Sequence, residues 1–281
     1  MTDRFLPMRS GRDPWGSRRA ALQLGGAAAL GAVLPCWPVQ AQDQTGGDPL
    51  GSMQWPGIVR KFMGQGAWHF TDEVIVKGPE FAEDAMNVPI WLDARALQRS
   101  AGPIERIVVV ADRNPIQHIL DFEPLNSWPV LAFRLRMEQG SPVRALVRTQ
   151  DGRWHVGQTW VNAAGGGCTV PGASRADGSW SRTLNQVQAR VFRNVLEGGT
   201  RLRLRIMHPM DTGLVGGIPA FHLEQLELRD AQDRPSWRMH LHEPVSENPL
   251  LTLELGDGAQ GPWQLLGRDN NGNRIDERFK A

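Results

Sequence analysis

The stretch Val130–Met137, VLAFRLRM, puts apolar side chains at Leu131, Phe133, Leu135 and Met137, with Arg134 and Arg136 between them. A period of two assigns the two sets to opposite faces of a pleated strand, whereas a helix would scatter them around its circumference. Similar short runs, cut by Gly and Pro, lie on both sides. Upstream are Val74–Val76, Val88–Leu92 and Glu105–Ala111, the last stopping at the turn Asp112-Arg113-Asn114-Pro115. Downstream are Val143–Thr149 and Trp154–Val161. A second series follows: Thr200–Met207, Phe221–Arg229, Trp237–Leu241, Leu250–Leu255 and Trp263–Leu266. The turn signal Asp269-Asn270-Asn271-Gly272 joins the last two strands of that series. Short strands with regular turn punctuation predict an all-β chain of two β-sandwiches. The alternative is an α+β domain, because residues 80–86 and 92–97 each suit a helical turn or two.

Residues 162–182, NAAGGGCTVPGASRADGSWSR, break this grammar and read as a mobile Gly/Ser-rich connector. The expected organisation is an export signal over 1–41, a first sandwich with a cysteine-bearing arm over 60–172, a linker over 173–190 and a second sandwich over 191–281. A length of 281 residues fits one large domain or two ordinary ones. Apolar residues at 41% and charged residues at 22% argue against a disordered chain. The 31 Lys+Arg against 30 Asp+Glu lack the basic excess of a general nucleic-acid binder.

The N-terminus reads as an address. Arg4, Arg9, Arg12, Arg18 and Arg19 precede an uncharged run, Ala21–Leu34, and the small-residue site Val39-Gln40-Ala41. That order is an export signal, and its apolar run is too short to be a bilayer anchor. Ser17-Arg18-Arg19-Ala20-Ala21-Leu22 resembles the twin-arginine signal, although Ala21 stands where that pattern usually has Phe. The expected destination is the periplasm, with no membrane span after signal removal. Cleavage after Ala41 removes Cys36 and leaves Cys168 as the single cysteine. An exported chain with one cysteine has no internal disulfide, so the thiol invites an explanation.

Gly165, Gly166 and Gly167 precede Cys168, and Gly172 follows after Thr169-Val170-Pro171. Glycine leaves a thiol uncrowded and its backbone adaptable, so an exposed thiol on a flexible arm is expected. Three readings stay open on the residues alone: a covalent carrier or nucleophile, an inert loop cysteine, and a metal ligand or intermolecular disulfide. His155, thirteen residues upstream, is the nearest candidate base in sequence, but no rigid catalytic set is recognisable.

His240 and His242 share a strand face at a spacing that suits zinc or copper, with Met239, Glu243 or His208 as further ligands. Two polar side chains on a solvated face is the blander reading and the preferred one, so no metal is expected. Met207-His208-Pro209-Met210 also offers soft thioether ligands for copper, and Asp269 is read as a turn former rather than a calcium ligand. Trp180, within the connector, is either an exposed partner contact or a cover over the domain junction.

Two sets of motifs carry a family resemblance. Asn87-Val88-Pro89-Ile90, Asp112-Arg113-Asn114-Pro115, Phe133–Met137, Val143-Arg144-Ala145 and Gly166-Gly167-Cys168 resemble the Y subunit of the bacterial sulfur-oxidation (Sox) carrier. Ile206–Gly213 with its His-Pro-Met-x-Thr-Gly core, Ile218-Pro219, Pro244–Pro249 and Asp269–Gly272 resemble its Z subunit. In that order the chain resembles the fused SoxYZ-like carrier associated with quinoprotein dehydrogenases. The resemblance implies two immunoglobulin-like β-sandwich domains joined by the Gly/Ser-rich linker. It implies a sulfur-containing intermediate held covalently on Cys168, a flexible arm at Gly165, Gly166, Gly167 and Gly172, and no other cofactor. It also implies that the chain is not itself an enzyme. Its partners would be periplasmic sulfur-oxidation enzymes, as in thiosulfate oxidation, or quinoprotein dehydrogenase components. The family's arm ends at or just after Gly-Gly-Cys-Gly-Gly, whereas here Thr169-Val170-Pro171-Gly172 and a linker follow, which stiffens the C-terminal side. The alternatives are a periplasmic metal-binding protein and a non-carrier accessory subunit of a dehydrogenase.

Overall fold

A computed structural model describes residues 43–193, 195, 198–257 and 259–280. The export-signal reading, with Arg18, Arg19 and Cys36, lies outside the described residues. A short helix α1 (Trp55–Ile58), continued by a wider helical turn over Val59–Met63, leads to strands β1 (Trp68–Phe70), β2 (Ile75–Lys77), β3 (Phe81–Ala82) and β4 (Val88–Asp93). Helix α2 (Arg95–Ala101) precedes β5 (Ile104–Ala111), β6 (His118–Glu123), β7 (Ser127–Leu135), β8 (Ser141–Thr149) and β9 (Trp154–Ala163). Two single-turn helices, α3 (Ala173–Ala176) and α4 (Trp180–Thr183), then cross to β10 (Val187–Phe192), β11 (Thr200–Ile206), β12 (Leu223–Arg229), β13 (Pro235–Leu241), β14 (Leu250–Leu255), β15 (Trp263–Asp269) and β16 (Arg274–Phe279).

The strands form two sheets. One runs β1-β9-β8-β5-β6-β13-β12-β15-β16, with β3 also on β9, and the other β10-β11-β14-β7-β4-β2. Each sheet is therefore drawn from both halves of the chain. The halves meet at β6·β13, where Leu120 faces Leu241, and at β7·β14, where Leu131 faces Leu253. The two strand series expected as separate bodies on a mobile linker are instead laid edge to edge, and a single apolar core runs beneath both. The segment 173–190 carries α3, α4 and the start of β10 rather than an open spacer.

The alternation is realised over Leu131–Leu135, where Leu131, Phe133 and Leu135 are buried, Ala132 is half-buried and Arg134 is exposed; it fails at Val130 and Arg136, which are buried too. A one-residue slip would turn Leu131, Phe133 and Leu135 to the opposite face, and about 1.5–3 kcal/mol per side chain opposes it. Leu202, Leu204 and Ile206 do the same in β11. Of the two helical segments suggested as an α+β alternative, 92–97 only overlaps α2 at Arg95–Leu97, its first residues ending β4, and 80–86 holds β3 and a turn. Among the described residues no helix is long and apolar enough to cross a membrane.

The outer face of the first sheet has its own cover. Trp55, Ile58 and Met63 pack on Val108, Val110, Leu146, Trp154 and Val156. Arg144, with no exposed side-chain surface, bonds both Asp48 and Asp112 at 2.8 Å and lies 4.5 Å from the Trp55 ring centre. A buried guanidinium held by two carboxylates keeps the segment from Asp48 onward against the sheet.

Candidate functional site

Cys168 lies where the two halves meet at one end of the sheets. The chain leaving β7 turns inward at Arg136, which donates its N–H to Pro244 O at 2.7 Å. The next residue, Met137, bonds Ala85 O at 2.8 Å. The glycine segment runs alongside: Gly166 N–H bonds Glu138 O and Gly167 N–H bonds Met137 O, both at 3.0 Å. A β-carbon on Gly167 would stand 2.1 Å from Ala85 O and 2.7 Å from Met137 O. Glycine is needed at 167 for this close approach. Gly165 and Gly166 take φ of +97° and +75°, which side chains oppose. Gly172 lies beneath Glu247, whose carboxylate accepts the N–H groups of Ala173 and Ser174 at 2.7 Å each.

The thiol is not exposed. Cys168 retains 1% of its accessible surface, and Sγ faces Arg136 O at 3.7 Å. This corrects the expectation of a presented thiol: the absent glycine side chains make room for neighbouring backbone, and that backbone covers the sulfur. Burial, and after it the Glu138 carboxylate, push the thiol up to about 12, with the Arg136 guanidinium only partly opposing them. In this position the thiol is protonated and a poor nucleophile.

Polar latches hold the segment from both sides. Glu138 Oε2 accepts the Cys168 N–H at 3.1 Å, and the same carboxylate accepts the Thr169 hydroxyl at 3.2 Å. From the second half, Thr212 Oγ1 donates to Cys168 O at 2.7 Å. Arg136 is 1% exposed and donates to Val170 O and Pro209 O at 3.2 Å each. Burial lowers its pKa, while the Glu247 and then the Asp211 carboxylates favour its charge. Arg175 pairs with Asp211 and lies 4.2 Å from the Trp180 ring centre, so Trp180 is half-buried as a cover rather than an open contact.

The block His208–Gly213 thus closes over the cysteine segment, and its His and Met serve the fold. His208 Nδ1 accepts the Met210 N–H at 3.1 Å, and Met210 Sδ accepts the Leu223 N–H at 3.3 Å. Asp269 caps the turn between β15 and β16 through the N–H groups of Asn271 and Asn273. Burial lowers His208 to about 4, although Asp269 opposes the shift. The unfolded chain binds this proton from about pH 6.5 downward, the folded chain only near pH 4. Stability from His208 is therefore full well above pH 6.5 and falls as the pH drops through that window, by about 2–3 kcal/mol at pH 4.5. Urea midpoints at pH 7, 6, 5 and 4.5 should show this fall, and His208→Gln should flatten it. Parallel profiles for the two proteins would refute the assignment.

His155 does not approach the thiol: it packs against His69 at 4.6 Å and faces Thr149 Oγ1 at 3.4 Å. His240 and His242 do not form a centre with Cys168. Among the described residues the group able to gather three metal-capable atoms is His118, Asp121 and His242. Glu138 carries no local signature; Thr212 and Glu247 fall inside the motifs Ile206–Gly213 and Pro244–Pro249, but only the packing brings them to the cysteine segment. Arg136 did carry a signal, since it occupies an outward position in an alternating strand. The strand ends one residue earlier, and the chain then turns that side chain inward.

Comparison with known proteins bears on the first half. Residues 59–168 match the family model described as sulfur oxidation protein SoxY, and the match ends on Cys168. Among solved structures, the sulfur carrier protein SoxY from Chlorobium limicola f thiosulfatophilum is 18% identical, with a TM-score of 0.34, covering 40% of this chain and 96% of that one. No curated protein matches the chain.

Proposed function

Since residues 59–168 are a SoxY-like sulfur-carrier domain, we propose that this chain is an exported, non-catalytic carrier that holds a sulfur species on Cys168. The observation that carries the reading is the family match running through the glycine segment and ending on that cysteine. In this reading the first half is the Y-type immunoglobulin-like sandwich, and residues 191–281 are its Z-type companion. The Z-type block Pro209–Thr212 supplies part of the thiol's cover. Fusion keeps the cover at high effective concentration. The export route is the twin-arginine one. The loading and unloading partners are periplasmic sulfur-oxidation enzymes or components of a quinoprotein dehydrogenase system.

The buried thiol makes this a two-position carrier. Residues 165–170 leave the pocket by exchanging the Glu138, Thr212 and Arg136 hydrogen bonds for bonds to water. Outside, the thiol regains an ordinary pKa near 8.5 and ionises. The thiolate attacks the terminal sulfur of a donor persulfide and forms a new S–S bond. The donor's own S–S bond breaks, and the donor thiolate leaves with the electron pair. Atoms and electrons balance without an added oxidant.

The test is intact-mass analysis of the protein isolated from its native compartment without reductant, beside Cys168→Ser, with peptide mapping of residues 162–182. The expected result is a thiol-removable mass of one or more sulfur atoms on Cys168, absent from the serine variant. A thiol that stays unmodified in cells actively oxidising reduced sulfur compounds would overturn the carrier reading.

A further inference from the structure

The seam between the two halves gathers three side chains that the sulfur chemistry does not use. His118 and Asp121 come from β6, and His242 lies one residue beyond β13. His118 Nε2 and His242 Nε2 stand 3.0 and 3.6 Å from Asp121 Oδ2. The two imidazole rings lie 3.8 Å apart, tilted by 31°. One ligand atom from each of the three residues falls within 4.8 Å of the others.

The backbone is arranged to produce this convergence. Residues three apart on a regular strand point to opposite faces. Here Val109 faces Leu120 and Val110 faces His118, so the β5·β6 register skips Ile119. The extra residue turns His118 onto the face of Asp121, as a bulge does when it re-aims a side chain. The carbonyl of Ile119 also accepts the His242 N–H at 3.0 Å, which places the third residue. Phe62 closes one side, with its ring centre 5.0 Å from that of His118.

Both Nε2 atoms are buried and lack an aligned hydrogen bond among the described residues, although the Asp121 oxygen is near. Two inward nitrogens around one carboxylate oxygen satisfy one another poorly, since a single shared oxygen leaves the rings stacked and off-axis. A tetrahedral ion with bonds of about 2.0–2.1 Å separates its ligands by about 3.3 Å, between the two observed nitrogen–oxygen distances. The side chains keep 22%, 22% and 31% of their exposure, which leaves an entry path and room for water ligands.

We propose that His118, Asp121 and His242 form a binding site for a first-row divalent transition ion of the zinc class, held by two imidazole nitrogens and one carboxylate oxygen across the seam of the two halves. Imidazole and carboxylate favour Zn(II), Cu(II) or Ni(II) over calcium or magnesium. Because the ligands come from both halves, the ion ties them together. The site is independent of Cys168 and of any cargo on it.

The test uses the exported chain stripped with chelator, in a Cys168→Ser background so that no thiol contributes, titrated with ZnCl2 by calorimetry. One ion per chain is expected. His118→Ala and His242→Ala should each weaken binding at least about a hundredfold, more than the loss typical of an outer-shell partner. His240→Ala, outside the triad, should leave affinity within about threefold. Asp121→Asn preserves shape and should weaken binding as well. Co(II) loading should give visible d–d absorption in the parent and none in His118→Ala. Far-ultraviolet circular dichroism establishes that each variant is folded. Absence of saturable binding, retained binding in the folded His118→Ala/His242→Ala double variant, or loss on His240→Ala would each overturn the proposal.

Discussion

At pH 8, iodoacetamide is expected to modify Cys168 in the folded chain about a hundred- to a thousandfold more slowly than in the urea-unfolded chain. A thiol pushed up to about 12 by burial is about one part in ten thousand ionised at that pH. An ordinary cysteine is ionised to roughly a quarter. Transient opening of the segment sets the lower end of the range, because reagent meets an ordinary thiol each time the latches release. Glu138→Ala should speed the reaction at least about tenfold, since it removes a charge that raises the thiol and a partner of both Cys168 and Thr169. Gly167→Ala should act in the same direction by forcing the segment away from Ala85 O. Time-resolved mass analysis of the alkylated protein reads all four rates. Labelling of the folded parent at the unfolded rate would mean that the pocket is not the thiol's resting place.

Arg136→Met should cost about 3–5 kcal/mol of folding stability, the scale at which a buried charge network loses one member. The methionine fills similar volume but leaves Val170 O and Pro209 O without donors and removes the cation near Glu247 and Asp211. Lysine should not rescue it, since one ammonium does not reproduce the diverging donors of a planar guanidinium. Arg134→Met, two residues away and exposed, should stay within about 0.5 kcal/mol. Equilibrium urea unfolding of the four proteins decides the matter. Equal midpoints for the Arg134 and Arg136 variants would show that the buried guanidinium does not hold the halves around the cysteine segment.

Both experiments concern a cysteine whose position was legible and whose state was not. Three glycines before Cys168 mark an unusual backbone, and the reading of that mark as a presented thiol follows from glycine's freedom. The same absence of side chains equally permits close backbone approach, and Gly167 against Ala85 realises that second use. Local sequence cannot choose between them, because the atoms that fill the vacated space come from residues far away along the chain. The metal-capable group shows the same limit. His240 and His242 drew notice by their spacing, but the partners of His242 are His118 and Asp121, brought there by a strand pairing and a skipped residue.

The β character, most strand positions, the buried faces of β7 and β11 and the turn at Asp269 are legible in the order of residues alone. Each depends on periodicity or turn chemistry within a few residues, where side-chain direction follows directly from backbone geometry. The tertiary structure alone decided that both sheets pass from one half into the other. It also decided that His208–Gly213 closes over Cys168, that Arg136 is buried and that the thiol is protonated. These depend on which distant surfaces exclude water from one another, and desolvation is a property of the packed assembly rather than of any segment.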